Sequence, residues 1–181
     1  TYTSRRILLS ASIGIAIYPE NANDADDLLR CADAAMYEAK KERGTSYHFF
    51  NKQMDETAHL RIKLEEELSK AIDSGQLDLN FKPIIDIPSK KMSGAEALIR
   101  WHHSTKGTSA PDQFIPISED SDLILKVGQW VIDTACRHYH YWLSHDLLPP
   151  DFRLSVNLST KQLTAQLSTI LNRSLNQWQL T

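Results

Sequence analysis

Apolar and polar residues alternate from Ile7 to Tyr18, with Ile13, Ile15 and Ile17 set against Ser12, Gly14 and Ala16, and this period of two predicts a strand. After a turn over 19–23 the period lengthens. A helix is predicted from about Asp24 to Arg43, with Leu28, Leu29, Ala32, Ala35, Met36 and Ala39 as its apolar stripe. Asp24, Asp26 and Asp27 suit its N-terminus, Lys40, Lys41 and Arg43 its last turn, and Gly44 its stop. Tyr47 to Phe50 reads as a short strand. Residues 55–73 repeat the helical period through Leu60, Leu64, Leu68, Ala71 and Ile72, and Gly75 ends the run. Strands are predicted over Leu77–Ile87 and Met92–Trp101, joined as a hairpin by the turn at 88–91. Thr105 to Ala110 reads as a loop. Pro111 opens a short helix to about Asp120. A long helix then runs from about Leu123 to His145, with Val127, Trp130, Val131, Thr134, Ala135, His138 and Trp142 on one side. Past Pro149-Pro150, a strand covers Leu154–Leu158, and Ser159 with Gln162 forms a capping box for a last helix reaching about Trp178. The β–α–β alternation over 92–158 predicts a parallel sheet and an α/β class.

A chain of 181 residues holds one large domain or two small ones. Its net charge of −3, with no basic patch interleaved with aromatics, argues against nucleic acid as a partner. Cys31 and Cys136 lie far apart in helical patterns and read as reduced thiols. No apolar run reaches the ~18–20 residues of a membrane span, and no signal-peptide pattern opens the chain. The pairs His102-His103 and His138-Tyr139-His140 invite a zinc reading. Their spacing points the rings in different directions, and no set of cysteines or carboxylates completes a tetrahedral site.

The chemistry concentrates in Gly94-Ala95-Glu96-Ala97-Leu98-Ile99-Arg100-Trp101. On a strand, Glu96, Leu98 and Arg100 share one face, while Ala95, Ala97, Ile99 and Trp101 share the other. A carboxylate and a guanidinium on an inward face must be paired or bound to something. Two readings stand open: a Glu96–Arg100 ion pair, or two groups that hold a ligand.

This run resembles the signature of EAL domains, the cyclic-di-GMP phosphodiesterases. Four more stretches resemble the family in its own order: Leu79-Asn80-Phe81-Lys82-Pro83-Ile84, Pro111-Asp112-Gln113-Phe114-Ile115-Pro116, Val127-Gly128-Gln129-Trp130-Val131 and Ser155-Val156-Asn157-Leu158-Ser159. The likeness covers roughly 57–181. Upstream, Ser10-Ala11-Ser12-Ile13-Gly14-Ile15-Ala16 and Ala32-Asp33-Ala34-Ala35-Met36-Tyr37-Glu38-Ala39-Lys40 resemble the end of a GGDEF domain, the diguanylate cyclase family. The chain thus reads as an internal piece of a tandem GGDEF–EAL protein. Residues 1–52 would be the C-terminal part of an α+β, nucleotidyl-cyclase-like GGDEF domain. Residues 53–75 would be a linker helix, and 76–181 the first half of an EAL domain, a partial (β/α) barrel whose first strand is antiparallel.

The resemblance implies that Glu96 and Asn157 are ligands of Mg²⁺ or Mn²⁺. Paired divalent ions ~3.5–4 Å apart bring the pKa of bound water toward ~7 and neutralise phosphate oxygens, and such hard cations take oxygen donors. Arg100, Leu98 and Lys82 fall at substrate-binding positions. Lys82 stands where the family has glutamine, Ser104 where it has proline, and Asp122 where it has glycine. The family's other ligands, a further glutamate, an adjacent aspartate pair, a catalytic lysine and a late glutamate, would follow Thr181, so this piece alone is expected to be inactive. On the cyclase side, Lys40 matches a lysine that reaches nucleotide phosphates, and it also suits the end of a helix dipole. The family's arginine position is not matched by Arg43-Gly44-Thr45. The implied function is hydrolysis of cyclic-di-GMP to linear pGpG. The alternatives are an inactive cyclic-di-GMP receptor or interaction module, or a parent acting mainly as a cyclase. Cyclic-di-GMP is the implied partner, the parent a homodimer, and the location cytoplasmic, with any membrane anchor upstream.

Overall fold

The computed structural model describes residues 9–42, 44–103 and 107–180. The ends expected at Ile7 and Arg43, together with Ser104 and Thr105, lie outside them. The chain divides into two compact units, 1–63 and 64–181.

In the first unit, β1 (Ser12–Ile15) and β2 (Ser46–Phe49) pair in parallel, connected through α1 (Ala25–Lys40). Asp24 caps α1 by accepting the Asp27 amide at 2.8 Å. Ser46 donates to the Ala39 carbonyl at 2.5 Å and ties the end of α1 to β2. The buried side of α1 is Cys31, Ala34, Ala35 and Ala39. Leu29 and Met36, expected in the stripe, are 70% and 39% exposed. They stand seven residues apart on one face, and the helix is rotated away from it because small residues let α1 lie close on the strands.

The helix α2 (Lys52–Asp73) contributes its N-terminal turns to the first unit. There Asp55 pairs with Arg30, and Tyr37 lies beneath the Arg61 guanidinium, 4.0 Å from the ring centroid. Leu60, expected on the apolar face, is 58% exposed, whereas Leu68 and Ala71 are buried in the second unit's core.

The second unit is built on β4 (Met92–His103), which is longer than the strand expected to end at Trp101. β3 (Leu77–Ile85) pairs with it antiparallel along its length. On its other side β4 meets β6 (Arg153–Val156) in parallel through 94–97, and β5 (Gly107–Ser109) antiparallel through 101–103. The stretch read as a loop at Thr105–Ala110 therefore carries a strand, whose three residues are too few to show a period. The antiparallel opening hairpin followed by a parallel β–α–β step agrees with the expected α/β partial barrel.

α3 (Pro111–Asp120) and α4 (Leu123–Ser144) lie between β4 and β6 in the chain. With the end of α2, they bury the odd-numbered face of β4. Ala97, Ile99 and Trp101 pack with Leu68, Leu77, Leu79, Phe114, Val127 and Val131. Trp101 is 1% exposed, meets Phe114 edge-on with ring centroids 5.7 Å apart, and donates from Nε1 to Gln76 at 3.4 Å.

The helix expected from Ser159 to Trp178 is interrupted. A single 3₁₀ turn (Thr160–Gln162) follows β6, and α5 begins at Leu167 and ends at Gln177. The capping box does form, with the Ser159 amide donating to Gln162 Oε1 at 2.8 Å. Gln162 is buried against Gly128, so close that a Cβ on that glycine would come 1.4 Å from Gln162 Nε2.

Two outcomes follow from this packing. Gly128→Ala gains about 1 kcal/mol of helix propensity but forces out a buried amide, a cost of about 1–3 kcal/mol. Denaturant titration should show Gly128→Ala destabilised in the wild-type background and neutral or stabilising in Gln162→Ala, and an equal effect in both backgrounds would contradict the coupling. His138 lies among Phe81 and Trp142, with ring centroids 5.1 and 6.0 Å away. Burial first, then Arg137, lowers its pKa below the ordinary value, against a smaller upward pull from Asp78. The unfolded chain therefore takes up this proton first. The contribution is present above the ordinary imidazole range near ~6.5 and is lost as pH falls through the folded value. An NMR titration should place the His138 midpoint below the ordinary imidazole value, and an equal or higher midpoint would refute the assignment.

Candidate functional site

The odd face of β4 being covered, Glu96, Leu98 and Arg100 share the other face, where each is half-buried. Two registers complete that face. In β3, Lys82, Asn80 and Asp78 stand directly opposite Glu96, Leu98 and Arg100. In β6, Ser155 stands beside Glu96, and Asn157 follows on the same parity just past the strand's last residue, Val156.

This geometry brings Glu96 and Asn157 together. Asn157 Nδ2 donates to Glu96 Oε1 at 2.8 Å across 61 positions of chain. β6 pairs with β4 only through 94–97, so Glu96 lies level with the C-terminal end of β6 while β4 itself runs on to His103. Close approach of the two strands depends on Gly94, where a Cβ would come 2.4 Å from the Arg153 carbonyl oxygen.

The ion-pair reading of Glu96 does not hold. Arg100 Nη1 donates to the Ile99 carbonyl at 2.8 Å, and among the described residues no ion pair joins Arg100 to Glu96. Two residues along the strand, His102 Nε2 lies 3.8 Å from Asp78 and its Nδ1 3.0 Å from Thr108 Oγ1. His103, on the opposite face, is buried and bonds Glu67 at 2.9 Å. The adjacent histidines thus point to opposite sides of the sheet.

A cleft of about 390 Å³ opens between β4 and the helices α3 and α4, where Ala97, Ile99, Val127 and Val131 line it and Glu96 and Arg100 do not. Leu98 and Asn157 belong to its wall, with Asp112, Ile115, Glu119 and Gln162 from the neighbouring helices and turn. Lys161 donates its ammonium to the Glu119 carbonyl, tying the turn after β6 to the end of α3. Asp78, Ser155 and Gln162 went unremarked as site residues in the sequence reading. The parity of Asp78, Asn80 and Lys82 was visible there, but only a known hairpin register turns it into a facing row. Lys40, the remaining candidate, is exposed in the last turn of α1 in the first unit.

The donors suit a hard divalent cation in kind. A carboxylate and an amide offer oxygen, and a half-turn of the Asn157 amide exchanges the Nδ2 now facing Glu96 for Oδ1. Two side chains supply part of the six-oxygen shell such an ion takes. Among the described residues no group of three His, Cys, Asp or Glu gathers around one point.

Comparison with known proteins follows the same division. The bifunctional diguanylate cyclase/cyclic di-GMP phosphodiesterase MucR of Pseudomonas aeruginosa is 40% identical over 156 residues, which are 86% of this chain and 22% of MucR. The cyclic di-GMP phosphodiesterase NbdA of the same organism is 33% identical over 133 residues, 74% of this chain and 17% of NbdA. The chain thus spans about a fifth of the length of these curated relatives. Among solved structures, the MucR phosphodiesterase in complex with c-di-GMP superposes with a TM-score of 0.62 at 36% identity, covering 65% of this chain and 47% of that one. The EAL enzyme Bd1971, bound to cAMP and cyclic-di-GMP, gives 0.63 at 27% identity, over 68% of this chain and 35% of that one. The family model "Diguanylate cyclase, GGDEF domain" matches residues 1–46. The EAL domain model matches residues 65–181, the unit whose strands bring Glu96 to Asn157, and the chain belongs to the EAL domain family.

Proposed function

We propose that the second unit takes part in hydrolysis of cyclic-di-GMP to linear pGpG within a cyclic-di-GMP signalling protein. The observation that carries this reading is the 2.8 Å meeting of Glu96 and Asn157 on the uncovered face of the sheet. Glu96 and Asn157 are ligands of Mg²⁺ or Mn²⁺, which when bound supplies an activated water and neutralises phosphate charge. Arg100 offers a planar fork to a phosphate oxygen pair, and Leu98 forms the apolar wall between the two polar rows. The reading is supported by the relatives' stated activity and by the cyclic-di-GMP bound to MucR and Bd1971. No helix among the described residues is long and apolar enough to cross a membrane.

A second reading, a receptor that binds the dinucleotide without cleaving it, is favoured by one departure. Lys82 stands where the family resemblance expects glutamine, opposite Glu96.

The test uses the longest protein that carries this chain, with pGpG followed by chromatography. Glu96→Gln and Asn157→Ala should each lower turnover by about a hundredfold or more while the far-ultraviolet spectrum stays unchanged. Hydrolysis at the wild-type rate by Glu96→Gln would sink the proposal. Tight cyclic-di-GMP binding by the wild type with no pGpG formed would establish the receptor instead.

A further inference from the structure

The site carries a cation of its own. Lys82 and Glu96 are register partners in the antiparallel hairpin, and the single irregularity in that pairing falls later, between Ile84 and Ile85. Side chains of directly opposite residues leave the same face with Cβ atoms about 4.5–5.5 Å apart, a gap that a four-carbon stem spans with room to adjust. Glu96 already receives Asn157 from the β6 side. Lys82 approaches from the β3 side, is exposed, and among the described residues is held by no carboxylate. Beyond the intervening Asn80–Leu98 pair, Asp78 stands opposite Arg100, so the hairpin presents two cross-strand pairs of opposite charge on this face.

We infer that Lys82, in register with Glu96 on the same face, acts as a fixed positive neighbour that opposes the divalent cation and so raises the concentration at which the site fills. The inference rests on the metal reading of Glu96 and deepens it. A divalent ion arriving at Glu96 must tolerate the ammonium as a like-charged neighbour. An uncharged glutamine at 82 would not impose that cost. Lys82 is thus a residue that tunes the cation requirement of the site.

Titration of Mn²⁺ into the longest protein carrying this chain, with free ion read by electron paramagnetic resonance, tests this without any turnover. Lys82→Gln and Lys82→Met should bind Mn²⁺ about three- to tenfold more tightly than wild type, while Lys82→Arg, which keeps the charge, should match it. The gap should shrink between about 0.05 and about 0.5 M salt, because the opposition is electrostatic at an exposed site. Equal or weaker Mn²⁺ binding in Lys82→Gln and Lys82→Met overturns the inference while leaving the metal reading intact, provided Glu96→Gln loses the ion. Failure of wild type and all Lys82 variants to bind Mn²⁺ removes the metal reading itself, and the inference with it.

Discussion

Burial of Ala95, Ala97, Ile99 and Trp101 beneath three helices is the constraint on which the second unit turns. A strand offers two faces and no third. Once the odd-numbered residues of β4 are committed to packing, every even-numbered residue goes to the other side. A slip of one residue would put Glu96 and Arg100 into the apolar layer and Trp101 into solvent. The apolar layer thus sets which way the carboxylate points, although none of its members bears on the chemistry.

Orientation alone does not make a site, and the neighbouring strands supply the rest. β3 aligns Asp78, Asn80 and Lys82 with Arg100, Leu98 and Glu96, so charge alternates in sign both along and across the hairpin. β6 ends one residue short of Asn157, directly after the last ladder pair Ala97–Val156, and the Asn157 amide turns toward Glu96. Pairing in the sheet therefore does for polar groups what packing does for apolar ones, joining residues remote in sequence at little conformational cost.

Most element types were legible from period and punctuation. The hairpin, the long α4 and the capping box at Ser159 each carry a local signal, and the two-sided reading of β4 needed only its alternation. What escaped is what tertiary partners decide. Leu29, Met36 and Leu60 sit at helical spacing, yet the face that becomes buried depends on what lies against it. β5 exists because the end of β4 offers it a partner. The helix expected after Ser159 stops after one 3₁₀ turn, in which the Gln162 side chain is drawn back into the capping box and packed onto α4. At the site, residue types alone suggested a Glu96–Arg100 pair and two groups that hold a ligand equally well. The distance between Glu96 and Asn157, and the turn of Arg100 onto the Ile99 carbonyl, come from strand registers that no single stretch of sequence encodes.

The contact between Gly128 and Gln162 has a consequence for how this chain can change over generations. The two positions share one small volume beneath the turn that follows Asn157. Enlarging the first demands shrinking the second, and shrinking the second gives up the capping box at Ser159. Neither order of single steps is free of a poorly packed intermediate, so drift at either position is confined by its partner. Residues 34 apart in the chain are in this sense inherited as one character, and the turn that follows Asn157 is packed against a glycine of α4.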